Sequence, residues 1–131
     1  QKALSNTTGK AEMEIHGTRG SESQVVSKKN HADLEIDTIK GKDIINRNKI
    51  PEPTVMKIDV EGGEIDVLEG CGSFLADSDL RLIYCEVHKH KLPEDQDHTI
   101  VEDTLIKRGF EIAKIDESEH SYTIKAKKSS L

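Results

Sequence analysis

Val55-Met56-Lys57-Ile58-Asp59-Val60-Glu61-Gly62-Gly63-Glu64, running on to Leu68-Glu69-Gly70, is the stretch that decides how the rest of the chain reads. Its apolar, β-branched start predicts a buried strand over 54–60. The strand stops on two carboxylates, Asp59 and Glu61. Gly62-Gly63 then turns the chain into a helix predicted over 63–69, with Ile65 and Leu68 on one face. In an open α/β sheet such a junction borders the crevice outside the carboxyl ends of the strands, where ligands bind.

Working outward, the 131 residues suit one domain, expected to cover 1–131. Hydrophobic residues make up 34% and aromatics only 3%, so Ile, Leu and Val must supply most of a modest core. The formal net charge of −6 argues against broad nucleic-acid binding, which needs clustered Lys and Arg. No apolar run approaches the roughly 20 residues of a membrane helix, and Gln1-Lys2-Ala3-Leu4-Ser5-Asn6 is too polar for a signal peptide. The chain does not start with Met, so it is expected to begin inside a longer gene product. Cys71 and Cys85 fit no CxxC metal spacing. They read as reduced core residues of a cytoplasmic protein, the alternative being a disulfide.

The segment 1–50 reads as a β-rich lead-in. Residues 12–16 and 34–39 alternate polar and apolar, which suits half-buried strands. Residues 17–23 are a loop by composition, and Val25-Val26 starts a short extended piece. A short helix is expected over 42–48, closed by Pro51 and Pro53. From 51 to 131 the rhythm becomes strand–helix–strand–helix–strand–strand. After the opening stretch comes an apolar strand over 80–87, then a helix over 97–108 ended by Gly109. Strands over 110–115 and 122–126 follow, joined by the polar turn Asp116-Glu117-Ser118-Glu119-His120. This order predicts an α/β fold: a mostly parallel sheet with an antiparallel C-terminal edge hairpin.

Side chains alternate across a strand, so Lys57, Asp59 and Glu61 are expected on one side, and Tyr84, Glu86 and His88 on one side of the next strand. Parallel neighbours lie roughly 4.8 Å apart. Asp59, Glu61, Glu86 and His88 are then expected to converge at one rim. Charged groups are rarely buried without partners, which makes two core strands ending in ionisable residues a functional signal. The competing structural reading is that Glu61 and Glu64 complement a helix N-terminus and Asp59 caps the turn. His16, His31, His90, His98 and His120 read as solvated. No GxGxxG follows any strand, so the chain has no dinucleotide fingerprint.

Lys57-Ile58-Asp59-Val60-Glu61-Gly62-Gly63-Glu64 followed by Val67-Leu68-Glu69-Gly70 resembles the signature of the FkbM family of S-adenosylmethionine-dependent methyltransferases, roughly K-I-D-V-E-G-x-E with V-L-x-G beyond. Leu34-Glu35-Ile36-Asp37-Thr38-Ile39 resembles the family's preceding strand. Ile83-Tyr84-Cys85-Glu86-Val87-His88 resembles its next strand, ending in E-x-H, and Ala3-Leu4-Ser5-Asn6-Thr7-Thr8-Gly9 the segment after its third. The resemblance implies a Rossmann-like class I methyltransferase fold with strand order 3-2-1-4-5-7-6. It also implies that S-adenosylmethionine is the methyl donor and that a small molecule or sugar hydroxyl is the acceptor. The family's Gly-rich loop and its ribose-binding acidic residue are not in this sequence. The expectation is therefore the C-terminal portion of such a fold, lacking its first strands.

On that resemblance Asp59, Glu61, Glu86 and His88 are the expected catalytic residues, and Asp59, Glu61 and Gly62 the expected cofactor-binding ones. Two other readings stay open. The same Asp59/Glu61/Glu86/His88 set offers oxygen and nitrogen ligands to a divalent metal. Alternatively the chain is a non-catalytic fragment or assembly module, forming a homo-oligomer through an open sheet edge. The expected partner is a small-molecule methyl acceptor, with no nucleic acid and no membrane.

Overall fold

The computed structural model describes residues 1–15, 23–26, 34–48, 50–77 and 79–129. His16, His31 and most of the loop expected over 17–23 lie outside the described residues. Among the described residues, two four-stranded sheets carry the fold. The first consists of β1 (Ala3–Leu4), β2 (Gly9–Glu14), β3 (Gln24–Val26) and β4 (Leu34–Ile39), in the order β1-β4-β2-β3. Helix α1 (Gly41–Asn48) leads out of it. The second consists of β5 (Val55–Ile58), β6 (Leu82–His88), β7 (Phe110–Glu117) and β8 (Ser121–Lys128), in the order β5-β6-β8-β7. Helices α2 (Glu64–Cys71) and α3 (Phe74–Asp77) connect β5 to β6, and α4 (Thr99–Lys107) connects β6 to β7.

The expected mostly parallel, Rossmann-like α/β sheet is not what the chain forms. Of the six strand pairings among the described residues, β1–β4 and β5–β6 are parallel; β2–β3, β2–β4, β6–β8 and β7–β8 are antiparallel. The reason lies in the connections. Parallel neighbours need a crossover of a dozen or more residues, whereas antiparallel ones close through short turns. The α2–α3 segment is such a crossover and places β6 parallel beside β5. The turn at Ser118, whose hydroxyl accepts from the backbone N–H groups of His120 and Ser121, closes β7 onto β8. Helix α1 has the span of a crossover, but it joins β4 to a strand of the other sheet.

Local chemistry explains most element ends. β5 is shorter than its apolar run because Glu61 (φ 55°) and Gly62 (φ 105°) turn the backbone out of the ladder. The turn packs so closely that a Cβ on Gly62 would lie 2.2 Å from the Lys91 carbonyl oxygen. Gly109, at φ 86°, follows α4 where a left-handed residue stops a helix. At the other end of α4, the Asp97 carboxylate accepts from the backbone N–H of Thr99, one of the donors the first turn leaves open.

The core belongs to the second sheet. Ile58 of β5, Ile83, Cys85 and Val87 of β6, and Tyr122, Ile124 and Ala126 of β8 form one buried cluster. Ile65, Val67 and Leu68 of α2 join it, with Val101 and Leu105 of α4. The first sheet is thinner, with Thr38 and Ile39 buried at the end of β4. It meets the core through α2: the Asn6 amide donates to Asp66 (3.1 Å) and to Glu69 (3.1 Å). Both thiols are free and buried. Among the described residues no helix is long and apolar enough to cross a membrane.

Candidate functional site

The rim forms where two parallel strands end together. Ile58, the last residue of β5, pairs with Cys85, so Asp59 leaves the sheet level with the last turns of β6, at Glu86 and His88. His88 is 9% exposed, the last buried residue of its strand. Its Nδ1 lies 2.7 Å from Oε1 of Glu64, the first residue of α2. The same Oε1 accepts the Gly62 backbone N–H at 3.0 Å. A carboxylate only accepts, so the imidazole donates from Nδ1, and its Nε2 faces the rim.

Around Nε2 stand three more carboxylates. Oε1 of Glu61 is at 3.5 Å, Oε1 of Glu86 at 3.7 Å and Oδ1 of Asp59 at 3.9 Å. The outer oxygens are held from elsewhere. Lys91 Nζ binds Oε2 of Glu61 at 2.5 Å, and Lys57 Nζ binds Oδ2 of Asp59 at 2.7 Å. Ser121 Oγ donates to Oε1 of Glu86 at 3.1 Å. Each lysine thus clamps one oxygen of its carboxylate while the other turns toward His88. Among the described residues, four carboxylates face two ammonium groups and the single His88 ring, which leaves the rim electronegative. The Glu64 hydrogen bond is the main cause that raises the His88 pKa above its ordinary value; burial opposes it, and the charges of Glu64, Glu61 and Glu86 add to it.

All four expected catalytic residues, Asp59, Glu61, Glu86 and His88, come together here, and Gly62 forms the turn beneath them. The residue that sequence reasoning missed is Glu64. It reads as a helix-dipole carboxylate, yet it is completely buried, and its Oε2 has no hydrogen-bond partner among the described residues. The signal was its spacing: Glu64, Leu68 and Cys71 fall at i, i+4 and i+7, the inward stripe of α2. Of the histidines expected to be solvated, His90 and His120 are exposed and meet edge to face at 5.4 Å. His98 differs, its Nδ1 lying 3.2 Å from the Tyr122 hydroxyl. That hydroxyl donates to Glu102 at 2.8 Å, and burial chiefly raises its pKa. Next to the rim, an open groove of 1140 Å³ runs between the two sheets, lined by Asp59, Gly62, Gly63 and Asp66 on one side and by Leu4 and Met13 on the other.

Residues 1–112 match the family model described as the methyltransferase FkbM domain. Over 86 residues the chain is 31% identical to hexuronic acid methyltransferase AglP of Haloferax volcanii, an alignment covering 66% of this chain and 34% of that protein. The chain thus matches about a third of the length of that curated relative. No solved structure matches significantly.

Proposed function

The chain belongs to the FkbM methyltransferase family, and on that premise we propose that its rim serves S-adenosylmethionine-dependent methylation of a sugar-type oxygen. The observation that carries the reading is the convergence of Asp59, Glu61, Glu86 and the Glu64-bound His88 at the paired ends of β5 and β6. Supporting it is the name of the Haloferax volcanii relative, a hexuronic acid methyltransferase.

The methyl donor is a sulfonium cation, and the electronegative rim fits it. Asp59 and Glu61 would hold it by charge, and the tight turn at Gly62 sets where the two carboxylates stand. When bound, S-adenosylmethionine supplies an electrophilic methyl group. This chain's own residues have three tasks. They align the acceptor oxygen, exclude bulk water and remove the acceptor's proton. The Glu64 hydrogen bond, with the charges of Glu64, Glu61 and Glu86, raises the His88 pKa and so favours the form that has no lone pair on Nε2 to take a proton. His88 instead orients the acceptor from Nε2. Glu86, anchored at Oε1 by Ser121, is the half-exposed carboxylate that takes the proton.

The test follows a labelled methyl group from S-adenosylmethionine to uronic-acid and neutral-sugar acceptors. Glu86→Gln is expected to lower kcat by about 10²–10⁴-fold, the usual share of a general base, with donor affinity retained. Asp59→Asn is expected to weaken donor binding as read by calorimetry. Unchanged turnover in Glu86→Gln together with unchanged donor affinity in Asp59→Asn would overturn the assignment.

A further inference from the structure

We propose that Asp59, Glu61 and His88 form a binding site for one divalent cation, of the Mn²⁺ or Zn²⁺ class. One ligand atom from each of the three residues lies within 4.8 Å of the other two. Ligand atoms arranged tetrahedrally at about 2.1 Å from an ion are about 3.4 Å apart. The separations here, 3.5 Å from Nε2 to Glu61 and 3.9 Å from Nε2 to Asp59, exceed that spacing by about 0.1 and 0.5 Å, and the third lies within 4.8 Å, so small side-chain adjustments would close the set on an ion.

Two further observations separate this set from a chance cluster of acids. First, the imidazole is held from behind. Metal-binding histidines almost always donate their other ring N–H to a carboxylate or carbonyl, which fixes the ring and its tautomer. Glu64 does this from a completely buried position, at 2.7 Å, with its own Oε1 fixed by the Gly62 N–H. Second, Nε2 belongs to a residue 91% buried by accessible area, yet among the described residues its nearest polar atoms are carboxylate oxygens at 3.5 Å or more. Three carboxylate oxygens at 3.5–3.9 Å thus face one ring nitrogen and pair with it when the imidazole is protonated; a bound cation would replace that proton and draw the same atoms together.

The lysines favour the same conclusion. Lys57 and Lys91 bind the outward oxygens, Oδ2 of Asp59 and Oε2 of Glu61, and leave the inward ones directed at Nε2. They thereby orient the ligands without neutralising the centre. Glu86 Oε1, 3.7 Å from Nε2, completes the ring of donors as a fourth oxygen. One imidazole with carboxylates selects a borderline to hard cation and excludes soft ions that need thiolate; Cys85, in the same strand as His88, is buried and faces the core. The inward oxygens are those that face the sulfonium in the proposed function, so ion and donor are alternative occupants of the rim; ion binding does not rest on methyl transfer, because it is read with neither donor nor acceptor present.

The experiment titrates the EDTA-treated chain with Mn²⁺ and follows the free-ion signal by electron paramagnetic resonance, with Zn²⁺ as competitor. The wild type is expected to remove one Mn²⁺ per chain from the free pool, and Zn²⁺ to release it. Asp59→Asn, at an exposed position outside the core, is expected to keep its circular dichroism spectrum and weaken binding at least tenfold. Glu64→Gln, which touches no ion, is expected to weaken it about 10–100-fold by freeing the ring. A wild type that leaves the free Mn²⁺ signal unchanged would overturn the site. So would wild-type affinity in a folded Asp59→Asn, Glu61→Gln double variant.

Discussion

At the scale of single residues, His88 shows how sequence order and three-dimensional role part company. Its place at the end of an apolar strand, two residues after Glu86, was legible, as was its approach to Asp59 and Glu61. Its closest partner was not. Glu64 occupies a helix start, where a carboxylate has an adequate electrostatic reason to be. Its spacing with Leu68 and Cys71 puts it on the inward stripe of α2, where it is completely buried. Its partnership with His88 sets a pH dependence. The folded His88 pKa lies above its unfolded value of 6.5, chiefly through the Glu64 hydrogen bond. The imidazolium therefore stabilises the fold fully below about pH 6.5, and this contribution is lost as pH rises through the folded pKa. Denaturant titrations in EDTA, wild type against His88→Gln, are expected to show the largest gap near pH 5.5 and a smaller one near pH 9. A gap that widens with rising pH would contradict the assigned donor.

At the scale of elements, the strands and helices were legible because their periodicities are strong. The alternation over 34–39 became β4, the apolar run over 80–87 became β6 with its end moved to His88, and the stripe over 97–108 became α4. The short α3 went unread, its four residues offering too few turns for a period to show. Pairing was the illegible part. Alternation says that a segment is a strand and which side is wet, but not which strand lies beside it. The α2–β1 contact illustrates this. Gly70, in the last turn of α2, is packed so tightly that a Cβ would lie 2.0 Å from the Ser5 carbonyl oxygen, a backbone atom that cannot swing away. In an exposed helix, Gly→Ala stabilises by about 0.8–1 kcal/mol. Here the clash outweighs that gain, and Gly70→Ala is expected to destabilise by about 1–3 kcal/mol, the usual range for overpacking. The urea midpoint reports it, and a midpoint shifted upward would show that β1 does not rest on α2.

At the scale of the whole molecule, the question is whether two mixed sheets, only one of them thickly cored, unfold as one unit. The joints between them are polar and close: Asn6 to Asp66 and Glu69, Gly70 against Ser5, and Gly41 of α1 against Cys71. A Cβ on Gly41 would sit 2.9 Å from the Cys71 sulfur, so that thiol lies in the seam. Cys85 lies instead in the middle of the second sheet, paired with Ile58 and Ile124. The two thiols therefore report on separate places. Burial pushes the Cys71 thiol up to about 11, and Cys85 also upward. At pH 8 the native Cys71 is thiolate to about one part in a thousand, against roughly a quarter for an unfolded cysteine of pKa about 8.5. A thiol reagent at pH 8 is thus expected to label neither cysteine in the native chain. Close joints make a sheet-by-sheet transition costly, because opening the seam exposes α2, and α2 covers the core around Ile58. Both cysteines are accordingly expected to become reactive at one denaturant midpoint, resolved by mass spectrometry of the labelled peptides. Labelling of Cys71 at clearly lower denaturant than Cys85 would mean that the first sheet leaves while the second, with the rim, stays folded. The site would then survive the loss of the sheet that lines the far side of its groove.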